Sequence, residues 1–341
     1  MKTKILRNIF LSVGVLFASA QLLPAGTFTT FDPPGSTFTQ PSGITPGGVI
    51  TGFYIDASGA TPGFVRAPDG TITTFDGPND IFGTFPSGIN SAGVITGEYC
   101  DAVTCHGFLR ARDGSFTTFD PPGSIFTDGV GINERGVVTG QYADAAFNPH
   151  SFVRALDGTF ATFDPAMLVN LSGVINPAGA IVGYFFTPSP PFVLRGFVRD
   201  PKGVITIFDA PNVCQTSNGT FAEGINPAGV IVGTYVEADC VTGHGFLRSP
   251  NGAFTNIDVP GAPVGATEAD AINPGGAISG IYFNSSGGIS GFLRSPSGSF
   301  TTYSFPGNGQ GGVSDKAINP AGAITGVYCD TTGCHGYLWT P

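Results

Sequence analysis

Gly88-Ile89-Asn90-Ser91-Ala92-Gly93-Val94-Ile95-Thr96-Gly97-Glu98-Tyr99, followed by Gly107-Phe108-Leu109-Arg110 and by Asp113-Gly114-Ser115-Phe116-Thr117-Thr118-Phe119-Asp120, decides the fold. The first strand ends in Gly-Ile-Asn, and a turn closing on Gly leads to a second strand, Val-Ile-x-Gly-x-Tyr. In the related turn Asn226-Pro227-Ala228-Gly229, Pro presets φ and Gly tolerates a left-handed backbone. Gly-Phe-Leu-Arg is the third strand, and an Asp-Gly turn opens the fourth. Four short strands with Gly-containing links make an antiparallel meander.

The same unit recurs. Its Ile falls at Ile44, Ile89, Ile132, Ile175, Ile225, Ile272 and Ile318, 43 to 50 residues apart. Apolar residues point to both faces of each sheet, Phe116 one way and Phe119 the other, so every copy must be covered on both sides. Radial stacking does this and leaves only short protected edges, whereas an open solenoid needs polar, atypical end repeats. The chain ends favour the ring. A lone fourth strand, Thr27 to Asp32, precedes the first Gly-Ile, and the chain finishes on a third strand, Tyr337-Leu338-Trp339. The expected fold is all-β: a seven-bladed β-propeller of four-stranded antiparallel blades, closed by the N-terminal strand joining the last blade.

Composition agrees. The 52 Gly and 28 Pro among 341 residues leave no room for long helices. Hydrophobic residues are 41%, with 30 Phe, so a large core can be buried. Lys2, Lys4 and Arg7, a short apolar stretch from Ile9 to Phe17 and Ala18-Ser19-Ala20 read as a signal peptide over residues 1–20. Residues 21–341 are then one propeller domain, secreted or periplasmic. Losing those three cations deepens the net charge from −10 to −13. Nucleic acid and anionic lipid are therefore excluded as partners, since both need a basic face.

The repeat resembles that of the bacterial HAF family of extracellular repeat proteins, in which a Gly-Ile-Asn strand pair precedes His-Ala-Phe-Leu-Trp. Here the matches include Gly88-Ile89-Asn90, Gly224-Ile225-Asn226, His106-Gly107-Phe108-Leu109, His244-Gly245-Phe246-Leu247 and His335-Gly336-Tyr337-Leu338-Trp339. Gly replaces Ala in most copies, and Arg replaces Trp in six. The resemblance implies an extracellular propeller-type repeat and no reaction.

Residues that recur in every copy are expected to be structural, because a catalytic constellation is asymmetric. Arg66, Arg110, Arg154, Arg199, Arg248 and Arg294 should pair with carboxylates or cover apolar surface with their stems. Asp32, Asp76, Asp120, Asp164, Asp209 and Asp258 should accept backbone N–H groups of the following turn. His106, His150, His244 and His335 should cap the turn between strands two and three. No catalytic or cofactor-binding residue is assigned. One asymmetry stands out: Glu223, Glu268, Asp270 and Asp315 with Lys316 fall just before the Ile-Asn of the last three copies, where Ser42 and Ser87 stand in the first two. Glu223, Asp270 and Asp315 are therefore channel candidates for a cation, calcium being the only cofactor considered, or for a general acid and base.

Six Cys in an exported chain suggest three disulfides. Cys100–Cys105 and Cys329–Cys334 each flank a turn between strands two and three. Cys214 lies in a link between copies and Cys240 in the turn at the same end, so they can pair. The function expected is a non-enzymatic binding or scaffold module, recognising extracellular polysaccharide or protein at its rim as a monomer, without inserting in a membrane. The rival is an enzyme working in the channel, a glycan lyase or hydrolase or a metal-dependent lactonase.

Overall fold

The computed structural model describes residues 26–164, 173–216, 218–309 and 312–341. The signal-peptide assignment lies outside them. The described residues are all-β, apart from one 3-10 turn at Pro306–Gly309. Five four-stranded antiparallel sheets follow one another, each a meander of consecutive strands such as Gly83–Ile89, Ile95–Cys100, Cys105–Arg110 and Phe116–Phe119. A sixth sheet has eight strands, because it holds material from both ends of the chain. Strand Thr27–Phe31 pairs antiparallel with Cys334–Thr340, setting Phe28 opposite Trp339. Strand Ser36–Ile44 touches the same terminal strand through one parallel bridge, Phe38 to Cys334.

Each sheet buries the same positions. The aromatic of the third strand (Phe64, Phe108, Phe152, Phe197, Phe246, Phe292, Tyr337) is fully buried in every copy, a gain of about 1.5–3 kcal/mol per side chain. Beside it, Thr51, Thr96, Thr139 and Thr325 are buried but satisfied, each hydroxyl donating to the carbonyl of that aromatic. The second-strand Gly has a packing reason. A Cβ on Gly97, Gly140 or Gly280 would stand about 2 Å from a first-strand carbonyl oxygen, a distance no side chain survives. That approach coincides with bulges in the first strand, between Pro86 and Gly88 and between Ala269 and Ala271, which bend the strand and re-aim its side chains.

Two contacts join neighbouring copies. The Asn of Gly-Ile-Asn holds its own turn through Oδ1, as Asn90 accepts from Val94 N at 3.0 Å. Its Nδ2 donates to the same residue's carbonyl in the next copy: Asn90 to Asn133, Asn133 to Asn176, Asn176 to Asn226, and Asn273 to Asn319. Asn319 then donates to Thr45 O of the first copy at 3.5 Å. The third-strand Arg supplies the second contact. Arg66, Arg110, Arg154, Arg199 and Arg248 place the guanidinium 4.4–5.2 Å above Phe31, Phe75, Phe119, Phe163 and Phe208 of the preceding copy. Of the two expected roles, covering apolar surface is therefore the one found. Ile257 occupies the ring's place before Arg294, which turns instead over its own Phe300 at 5.9 Å. In the last copy Trp339 replaces Arg and stacks on Tyr303 at 4.6 Å.

All three expected disulfides are present, Cys100–Cys105, Cys214–Cys240 and Cys329–Cys334. They sit at one end of the sheets, with the turns between strands two and three and the links between copies. No helix among the described residues is long and apolar enough to cross a membrane.

Candidate functional site

The first-strand bulges decide where the acidic residues go. Glu223, Asp270 and Lys316 are the extra residues of the bulges in copies five, six and seven, so they project alike from adjacent sheets. Glu223 and Asp270 come within hydrogen-bond reach of each other. Burial, then the like charge of Glu268, pushes Glu223 up to about 7, with Lys316 pulling it back. Burial first, then Glu223, Asp315 and Glu268, holds Asp270 well above the ordinary range, and its Oδ2 is buried without a hydrogen-bond partner. Two carboxyls this close share a proton rather than both ionise.

Asp315 does not join them. It precedes the bulge and turns inward, accepting from Tyr303 Oη at 2.9 Å and from Tyr337 Oη. Burial pushes it up to about 7 against the pull of both hydroxyls. Among the described residues, no three carboxylates have oxygens within 4.8 Å of one another. The one group of potential ligands that close is Glu98 with Cys100 and Cys105, whose thiols are joined in a disulfide. The calcium considered for Glu223, Asp270 and Asp315 thus has no three-carboxylate cradle.

A second carboxyl pair escaped the sequence reading. Glu98, on a second strand, faces Asp128 on the next copy's first strand. Burial, then Asp128, pushes Glu98 up to about 8, and burial pushes Asp128 to about 6 although Gln141 Nε2 donates to it at 3.4 Å. Glu98 Oε2 and Asp128 Oδ1 are buried without partners. No signal in the chain pointed to this pair, because neither residue repeats and the contact crosses two sheets.

At the disulfide-bearing end the His residues correct an expectation. Nδ1 of His106, His150, His244 and His335 lies 2.6–2.9 Å from a carboxylate oxygen of Asp120, Asp164, Asp258 and Asp32 respectively. Nε2 lies 3.3–3.5 Å from a second acid, Asp101, Asp144, Glu237 or Asp330. These Asp residues serve the imidazole instead of the following turn because the register puts the two side chains face to face: Gly107 pairs with Phe119, so His106 opposes Asp120. The bond to Asp164 raises His150. Burial pulls His335 down, but Asp32 and Asp330 more than offset it. In copy four Arg195 replaces His and grips Asp209 with two nitrogens, Nε at 3.1 Å and Nη2 at 2.7 Å.

This end is also where apolar side chains reach solvent. Of the eleven large hydrophobics exposed among the described residues, seven lie in its turns and links, including Phe82 (67% exposed), Val103 (88%), Phe147 (81%) and Val264 (87%), and an eighth, Phe283, ends a second strand there. Thirteen carboxylates share it with one arginine, Arg195, while the six repeat-position arginines lie at the opposite end of the third strands.

The architecture is similar to solved propeller-like proteins. A streptogramin B lyase superposes with a TM-score of 0.60 at 13% identity, over 92% of this chain and 97% of that one. A catalytically inactive form of virginiamycin B lyase from Staphylococcus aureus, with quinupristin, gives 0.58 at 16% identity, over 93% and 99%. A puromycin hydrolase gives 0.53 at 12% identity over 88% of this chain and 52% of its own. At such identities the likeness concerns the fold alone. No family model and no curated sequence matches the chain.

Proposed function

We propose that this chain is exported, folds over residues 21–341 into one closed seven-bladed propeller of the HAF-repeat type, and works as a non-enzymatic module that binds a basic protein through its disulfide-stapled rim. Closure is supported by the pairing of Thr27–Phe31 with Cys334–Thr340 and by the Asn319 to Thr45 bond. Three disulfides fit an oxidising compartment.

The rim's character carries the binding reading. Clustered exposed apolar side chains in a soluble protein mark interaction surfaces, and here they stand among carboxylates with a single arginine. The carboxylates around these apolar tips, with a single arginine among them, favour a basic protein over a neutral polysaccharide. The test is retention of a panel of basic proteins, acidic proteins and soluble polysaccharides by the immobilised protein. Replacing Phe82, Val103, Phe147 and Val264 together by Ser should abolish retention of basic proteins without changing the melting temperature, and salt should weaken retention. Undiminished retention by that variant would overturn the reading.

One observation favours the rival, an enzyme at the channel. Glu223 and Asp270 form the proton-sharing pair that general acid–base chemistry uses. Turnover of a glycan or lactone by the native protein, lost in Glu223→Gln, would decide for it.

A further inference from the structure

The seven copies serve as an internal comparison for the carboxylate that ends the fourth strand. In six of them that residue and the one opposite it on the third strand change together. Four copies pair Asp with His, and copy four pairs Asp209 with Arg195. Copy six drops both charges at once, setting Ser290 against Ser304. Copy one alone keeps the acid and lacks the cation. Gly63 pairs with Phe75, so Asp76 faces Pro62, which carries no donor. Among the described residues no hydrogen bond or ion pair engages Asp76, and burial together with Asp80 raises its pKa.

The surroundings also differ. Asp76 lines a pocket of about 350 Å³ with Thr61, Asp80, Ile81 and Phe82, within the size range of small-ligand sites, about 300–1,000 Å³. Asp80 is already committed, accepting from Gly83 N at 2.7 Å and Thr84 Oγ1 at 2.6 Å. Asp76 is the carboxylate left over. Ile81 and Phe82 rise beside it with most of their surface in solvent. A free carboxylate against an apolar wall matches a cation on an apolar stem, and copy four shows which cation suits this position: a guanidinium gripping the equivalent Asp209 with two nitrogens.

We propose that the pocket around Asp76 receives an arginine side chain of the partner protein, whose guanidinium takes the place that His or Arg195 fills in the other copies and whose stem lies on Ile81 and Phe82. This rests on the reading of the rim as the binding face and gives that face its anchor.

The probe is N-acetyl-arginine methylamide, titrated into the intact protein and followed by backbone amide shifts, with N-acetyl-glutamine methylamide as the uncharged control. Saturable shifts confined to residues 59–63 and 76–84 are expected with the arginine probe alone. Asp76→Asn should weaken binding about fivefold or more, the size of a partly exposed charge pair. Pro62→His, which supplies the missing internal cation, should remove it. His106→Ala frees Asp120 without a wall like that of Ile81 and Phe82 and should add no second site, and Asp76→Asn decides the matter if the Pro62 variant fails to fold. No saturable binding, or binding indifferent to both Asp76→Asn and Pro62→His, would overturn the proposal. Failure here with loss of protein retention in the rim serine variant leaves the binding face standing without this anchor. Probe binding with unchanged retention in that variant overturns the rim reading and leaves an arginine pocket.

Discussion

Arg110 holds its guanidinium carbon 4.4 Å above the Phe75 ring of the preceding sheet, while its Nε is buried without a partner. Burial lowers its pKa, yet a guanidinium stays charged at any working pH. The ring face is therefore its chief compensation. Arg110→Met keeps the stem and loses the charge, and should lower unfolding stability by about 1 kcal/mol in urea titration; an unchanged midpoint would reduce the Arg to a space-filler. At the same scale, the raised carboxyls set a pH dependence. Glu98, Glu223 and Asp315 hold protons in the folded chain that they release when unfolded. The stability this gives is fully present below pH ~4, the unfolded carboxyl range, and is lost as pH rises through about 7 to 8. The raised His150 and His335 act in the same sense. Asp144 and Asp239 act oppositely: hydrogen bonds from Asn148 and Thr242 hold each down to about 2, so their contribution is lost only as pH falls below 4. The melting temperature should peak at pH ~4 and fall toward pH ~8.5. The double variant Glu223→Gln, Asp270→Asn should flatten that fall, and an equally steep profile would show that the pair is ionised in the native protein.

The unit that matters at the next scale is the four-stranded meander with its turns. Its two ends are built differently. At one, Asn side chains satisfy their own turns and reach the next copy, a fixed arrangement that leaves little to vary. At the other, disulfides, His–carboxylate bonds and links of unequal length hold turns that carry exposed apolar tips. The disulfides differ in what they close. Cys214–Cys240 ties an inter-copy link to a turn across 26 residues, whereas Cys100–Cys105 spans 5. Chain entropy predicts a loss of about 3.5 kcal/mol for the first and about 2 for the second when both cysteines become Ser. Denaturant titration of the two double-serine variants should reproduce that order, and the opposite order would mean the short bridge restrains more than its own turn.

On the scale of the whole molecule, the last strand is completed by the first. Thr27–Phe31 gives Cys334–Thr340 its outer neighbour and places Phe28 against Tyr337 and Phe305, and Phe31 under Arg66. A chain beginning at Pro33 leaves that sheet edge bare and removes the ring contacts of Phe28 and the contact of Phe31 with Arg66 of the next copy. Its melting temperature should fall clearly, and a synthetic peptide of residues 26–32 should restore it. Unchanged melting would make the proposed closure irrelevant to stability. Charge is also distributed on this scale. The repeat-position arginines gather at the end opposite the carboxylate-rich rim, a separation that would steer the proposed basic partner toward one face.

Four strands per copy, the recurrence of the unit and the pairing of all six cysteines follow from the sequence, because each rests on local period, turn chemistry or chain ends. The repeat also announced that Arg, Asp and His were structural, but not what they touch. Cation–π contacts, the Asn ladder and the facing of His106 by Asp120 depend on inter-sheet distance and register, which no spacing along the chain encodes. The acidic residues divided the same way. Glu223 and Asp270 were visible as departures from the repeat, yet only the bulges made them a pair and turned Asp315 onto Tyr303 and Tyr337. Glu98 and Asp128 meet across two sheets, and Asp76 is distinguished solely by the missing partner opposite it. Sequence settles what repeats; the tertiary structure decides which exceptions face one another, because burial and charge act through space.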